Sequence, residues 1–218
     1  MGNGVGAWKA PRYYGLGMNL PPDGDKYGTQ RVRWAVIAIQ EELIRQGFLA
    51  RPPYALDGQV GPKTDTAIKA FQKASGLVPD GQVGPKTSGR LFFLFFAWWE
   101  ITLGIPDHLL TGLVRLESAF DPGAEGSVDD RDRGICQFNR DYHPDITDEV
   151  AFSDPPFCIA RTADMLVRAH AALGDWNAAV ANHNNPKKAK QWASSGEAPD
   201  DQIAKYVKLV RAAGLAPL

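Results

Sequence analysis

The octapeptide DGQVGPKT occurs twice, at 57–64 and again at 80–87. An identical repeat within so short a span means that one local backbone solution is used twice. Each copy supplies a Gly-containing turn and a Thr able to cap a following helix. The first copy leads into DTAIKAFQKASGL, where Ala67, Phe71 and Ala74 share a helical face, and the second into SGRLFFLFFAWWE. Before both lies RVRWAVIAIQEELIRQGFL, whose Val32, Val36, Ile39 and Leu43 follow a helical period. The pattern predicts a small three-helix unit with two similar turns. Two copies are too few for a solenoid array, which needs about three repeats.

The run LFFLFFAWW at 91–99 is apolar on every side. A helix of that kind is expected to be buried all round, either wedged between two modules as a compact joint or inside the core of one. It is far too short for a bilayer, which takes about 20 residues. Charge divides at the same place: residues 1–99 hold 12 Lys and Arg against 7 Asp and Glu, and residues 100–218 hold 12 against 18. A basic front half on an acidic back half points to two modules, the first facing something anionic. The stretch MGNGVGAWKAPRYYGLGMNLPPDG lacks the apolar core of a secretory signal and reads as an extended arm. The expectation is a soluble protein made in a bacterial cytoplasm without a Sec-type signal. Cys136 and Cys158 are the only cysteines; free, buried thiols are expected, with one bond between them as the alternative.

In the second half, Pro106 fits the first turn of a helix running to about Glu117. DPGAEGSVDDRDRG then reads as a polar loop, and GICQFN as a strand or buried turn. Further helices follow Pro155 and Pro156, then DWNAAVANHNN, then DQIAKYVKLVRAAG, the last stopped by Gly214. Within LVRLESAFDP, Leu113, Leu116 and Phe120 recur at i, i+3 and i+7, a buried stripe. Glu117 lies on or beside it. Most helical glutamates simply face solvent, but a carboxyl set among apolar neighbours has its charged form penalised and can hold a proton near neutral pH.

Two resemblances sharpen this reading. AIQEELIRQG, DGQVGPKTDTAIKAFQKASGL and the second DGQVGPKT, over about 30–93, resemble the peptidoglycan-binding domain of cell-wall hydrolases. ESAFDPGA, GICQF and GDWNAAVANHN, over nearly all of 100–213, resemble lysozyme-like glycosidases, especially the soluble lytic transglycosylase type. Two departures stand out: Cys136 replaces the usual Met, and His183 stands where that family usually has Tyr. DRGICQFN also resembles a segment of animal-type lysozymes whose leading Asp is the second catalytic carboxylate, a role that would fall on Asp132. Together these features resemble phage endolysins. The organisation implied is an arm over 1–28, a peptidoglycan-binding domain over 29–95 and a lysozyme-like domain over 96–218, mainly α with little strand.

The resemblance implies a bacteriolytic enzyme that cuts the β-1,4 bond between N-acetylmuramic acid and N-acetylglucosamine, with Glu117 as general acid. Asp132 as second carboxylate gives a hydrolase, although DDRDR also reads as a solvated charge run. If Asp132 points away, Glu117 acts as acid and then base while the sugar's own 6-hydroxyl attacks, which is the transglycosylase alternative. Ser118, Gln137, His183, Asn184 and Tyr142 are the candidate substrate-binding residues. Each has a plainer use, Ser118 as a helix-end residue, Gln137 as a satisfied buried amide and His183 as a structural histidine. Trp176 fits core packing better than sugar stacking. His108, His143, His170 and His183 show no paired ligand spacing, so no metal and no cofactor are expected. Cys136 sits inside an apolar segment and not at a helix start, which disfavours a cysteine amidase. The expected partner is bacterial peptidoglycan, acted on by a monomer, with no nucleic acid and no membrane insertion. A chitinase, and a non-catalytic wall-binding or virion structural protein, are the rival readings.

Overall fold

The computed structural model describes residues 14–16, 28–50, 56–126 and 131–216. The chain is mainly helical, with nine helices and one two-stranded sheet among the described residues. The first unit is α1 (Gly28–Arg45), α2 (Pro62–Ala74) and α3 (Pro85–Leu103). The second comprises α4 (Leu109–Ser118), β1 (Asp132–Arg133), β2 (Phe138–Asn139), α5 (Asp148–Ser153), α6 (Pro155–Leu173), α7 (Trp176–Asn184), α8 (Pro186–Ser195) and α9 (Asp201–Leu215).

The repeated octapeptide is explained by a repeated clasp. Gln40 of α1 donates through Nε2 to Asp57 Oδ1 at 2.8 Å, the Gln59 carbonyl at 3.0 Å and Thr64 Oγ1 at 3.2 Å. Its Oε1 accepts from the Gly58 amide at 3.1 Å. Gln72 of α2 does the same one turn later, to Asp80 Oδ1 at 2.9 Å, the Gln82 carbonyl at 2.9 Å and Thr87 Oγ1 at 3.2 Å, accepting from the Gly81 amide at 2.9 Å. Both glutamines are buried. Gly58 and Gly81 take φ of +67° and +78°, which a side chain would strain. The expected threonine caps are not what starts α2 and α3. Extended Gly61 and Gly84 occupy the cap positions with Pro next, and Thr64 and Thr87 stand inside the helices, turned toward the glutamines.

Helix α3 passes without interruption through 95/96 and ends at left-handed Gly104. Its apolar run is only partly covered. Leu91, Phe92 and Phe96 are buried, whereas Leu94 and Trp98 face solvent, as does Ile101 beyond them. The buried side packs against α1, α4 and α6, leaving the opposite side bare. Near its end, the buried carboxylate of Glu100 accepts from the backbone amides of His108 (3.1 Å) and Thr111 (3.0 Å), at the start of α4. An acceptor placed there satisfies orphan amides and complements the helix dipole. One helix thus carries the second octapeptide at its start and the cap of α4 near its end.

Helix α4 begins at Leu109, three residues later than a Pro106-led first turn would give, because His108 adopts a left-handed conformation. It ends at Ser118, and Ala119 and Phe120 both have positive φ. Phe120 is therefore buried by a left-handed turn and not by helical spacing, a correction to the i, i+3, i+7 reading. Leu109, Leu110, Leu113 and Val114 form the stripe. Gly112 meets Gly214 of α9 so closely that a Cβ at 112 would lie 2.1 Å from the Val210 carbonyl. The core is continuous from α1 and α2 through α3 to α4, α6 and α9. Cys136 and Cys158 are free and buried. No helix among the described residues is long and apolar enough to cross a membrane.

Candidate active site

Glu117 is the penultimate residue of α4 and its side chain is 20% exposed. The close crossing of α4 and α9 brings Tyr206 against it, and the Tyr206 hydroxyl donates to Glu117 Oε1 at 2.5 Å. His183, from α7, places Nε2 at 3.8 Å from the same oxygen. Burial raises the Glu117 carboxyl to about 7, with the Tyr206 hydrogen bond opposing and the charge of Asp132 adding to the rise. Burial likewise pushes His183 down to about 4, against the pull of Asp132. At neutral pH the site therefore holds a carboxyl poised to give or take a proton, beside a neutral imidazole.

Asp132 lies on β1 opposite Asn139 of β2, whose Nδ2 donates to Asp132 Oδ1 at 2.8 Å. The hairpin is anchored from behind. Buried Arg133 donates to Asp148 Oδ1 at 2.6 Å and to the Phe138 and His143 carbonyls, both at 3.3 Å. Gly134, with φ of +70°, packs so tightly on α5 that a Cβ would lie 1.9 Å from the Ala151 carbonyl. Asp132 is thus carried by an ordered hairpin. Asp129 and Asp130, the other carboxylates of that run, lie outside the described residues.

The remaining candidates separate. Ser118 is fully buried and its hydroxyl lies 2.7 Å from the Ile135 carbonyl and 3.2 Å from that of Val114. It ties the end of α4 to the GICQF turn, so it orients Glu117 from behind and is not placed to touch a sugar. Gln137 adopts φ of +53° and donates its amide to the Gly134 carbonyl at 2.8 Å, bracing the same turn. Asn184 is the last residue of α7, next to His183 and half-buried. Tyr142 projects into solvent at 79% exposure from the turn after β2. Trp176 stacks on His170 with ring centroids 3.9 Å apart. The Cys136 thiol is pushed up to about 12 by burial, so it is no nucleophile at neutral pH. No cluster of His, Cys, Asp and Glu among the described residues has the makings of a metal site.

Sequence reasoning missed Tyr206. A signal was there, since Tyr206 shares the buried face of α9 with Ile203, Val207 and Val210, and a buried phenol needs a partner. Nothing in the chain names that partner, 89 residues away.

No curated protein matches the chain. Residues 33–91, spanning both octapeptides and the start of α3, match the family profile of the peptidoglycan binding domain, and this similarity supports association with the cell wall.

Proposed function

We propose that the chain is a peptidoglycan-cleaving glycosidase, with Glu117 as the general acid for the β-1,4 bond between N-acetylmuramic acid and N-acetylglucosamine. The carboxyl held near 7, with His183 Nε2 at 3.8 Å and the charge of Asp132 acting on it, carries this reading. With Tyr206 donating to Oε1, the acidic proton of Glu117 belongs on Oε2 and passes from there to the leaving oxygen. The charge of Asp132 then stabilises the oxocarbenium-like centre. Water adds to the anomeric carbon and returns its proton to Glu117. The peptidoglycan-binding module keeps the cleft at an insoluble substrate and so raises its effective concentration. The combination fits a bacteriolytic endolysin of phage type acting on the wall after release.

The test is mass spectrometry of muropeptides released from purified wall by wild type and by Glu117→Gln. Reducing N-acetylmuramic ends from wild type and none from the variant support the hydrolase. Release of 1,6-anhydro sugars would instead make the chain a lytic transglycosylase and remove the role given to Asp132. Binding without release of any fragment would leave a wall-binding protein and overturn the enzyme.

A further inference from the structure

The first module does more than hold the wall: we propose that Arg31, on α1, is a positioning residue for Asp132, acting through the segment 121–126. The inference rests on the assignment of Asp132 to the reaction. Three contacts carry it.

Arg31 is buried and forms an ion pair with the equally buried Glu125. Tyr14, whose backbone pairs with Val83 of the second octapeptide, donates its hydroxyl to Asp121 Oδ1 at 2.6 Å. Asp121 also accepts from the Gly123 amide at 2.8 Å, which folds the segment on itself. A Cβ on Gly123 would lie 2.3 Å from the Tyr14 hydroxyl and 3.2 Å from Ala35 Cβ, so α1 and Tyr14 press directly on this backbone.

The other edge of the same segment is paired with β1. Glu125 bridges Arg133 in antiparallel register. The Gly126 amide donates to the Asp132 carbonyl at 2.9 Å, and the Gly134 amide to the Ala124 carbonyl at 2.8 Å. Segment 124–126 is therefore bridged to β1 of the hairpin, held between α1 on one side and Asp132 on the other. A buried ion pair adds little net stability compared with apolar packing, but it fixes one arrangement, and breaking it by removing one partner is costly. Displacing a reacting group by about 1 Å can cost about 100-fold in rate. Arg31 sits where such a displacement would start.

The test uses the full chain and soluble, peptide-free glycan oligomers, for which wall anchoring is irrelevant. Arg31→Met should lower kcat by about 100-fold with KM little changed. The alkaline limb of kcat/KM should move to lower pH, because a receding Asp132 no longer raises Glu117. Hydrogen exchange at the Gly126 and Gly134 amides should speed up while α9 is unaffected, and sedimentation with purified wall should be unchanged. Tyr14→Phe, a milder change, should show the same pattern at smaller size. Arg33→Met, which removes an exposed charge from the same helix, should show none of it. Wild-type kcat and wild-type exchange in folded Arg31→Met would overturn the proposal. Should Arg31→Met fail to fold, Tyr14→Phe decides by the same readouts. Should the wild type cleave no glycan, the glycosidase reading fails, and the exchange measurement still decides whether α1 holds the hairpin.

Discussion

Two polar sites in this chain, one buried and one partly buried, are built on opposite terms. Around Gln40 and Gln72 every amide atom meets a partner at 2.8–3.2 Å, and the same set of partners is used twice. Around Glu117 one oxygen receives Tyr206 while His183 stands off at 3.8 Å and Asp132 adds a like charge. The first arrangement satisfies polar groups and specifies a fold. The second leaves a carboxyl penalised by its surroundings, which is the condition for acid chemistry near neutral pH. Complete satisfaction marks the structural site, and incomplete satisfaction marks the one proposed to react.

Substitutions at the two sites should therefore separate rate from stability. The largest effect is expected for Glu117→Gln, a loss of about 10²- to 10⁴-fold in turnover on soluble glycan. The same variant should not be less stable. The folded protein keeps the Glu117 proton from its ordinary 4.5 up to about 7. At this group the folded state thus binds more protons than the unfolded one in that window, so the Glu117 contribution to stability falls as pH rises through it, by about 3 kcal/mol at most. His183, lowered to about 4, titrates with the opposite sign in both proteins, so the test is the difference between them. Urea denaturation should show wild type losing about 2–3 kcal/mol relative to Glu117→Gln between pH 5 and pH 8. A difference that does not change with pH would place the titration elsewhere.

At the clasps the balance reverses. Gln72→Ala should cost about 2–3 kcal/mol of stability by orphaning the Gly81 amide and the contacts of Asp80, with kcat on soluble glycan retained. Gln40→Ala should match it, since the two clasps share one geometry, and unequal losses in urea melts would show that they do not act alike. The smallest effect belongs to Tyr206→Phe. Removing the donor that lowers Glu117 should move the alkaline limb of kcat/KM upward by roughly half a unit to one unit. A shift downward would mean that Tyr206 acts on Glu117 in some other way.

The legible parts were those whose cause is local. Helical periods located α1 and α2, start and stop residues located α6 and α9, and the duplicated octapeptide announced a duplicated turn. What the turn encloses was not legible, because Gln40 and Gln72 lie 17 and 8 residues from their aspartates and carry no pattern of their own. Glu117 was singled out because Leu113 and Leu116 flank it within one helix. Tyr206 was not, because its pairing depends on how closely Gly112 and Gly214 let two distant helices approach. Ser118 was read as a possible sugar contact, and only the packing of the GICQF turn shows it facing inward. The run at 91–99 was expected to be covered all round, but composition does not say how many neighbours a helix will have, and Leu94 and Trp98 remain bare.

Helix α3 bears on how a mesh would be cut. Its 19 residues make a rod of about 28 Å between the second octapeptide and the cap of α4. A flexible leash would let the cleft sample any bond within its radius. A rod with a buried side lets it sample few. On the proposed glycosidase reading, a site anchored this way works like a hole punch set against a ruler, so fragment lengths from stretched wall should carry the spacing of the protein itself.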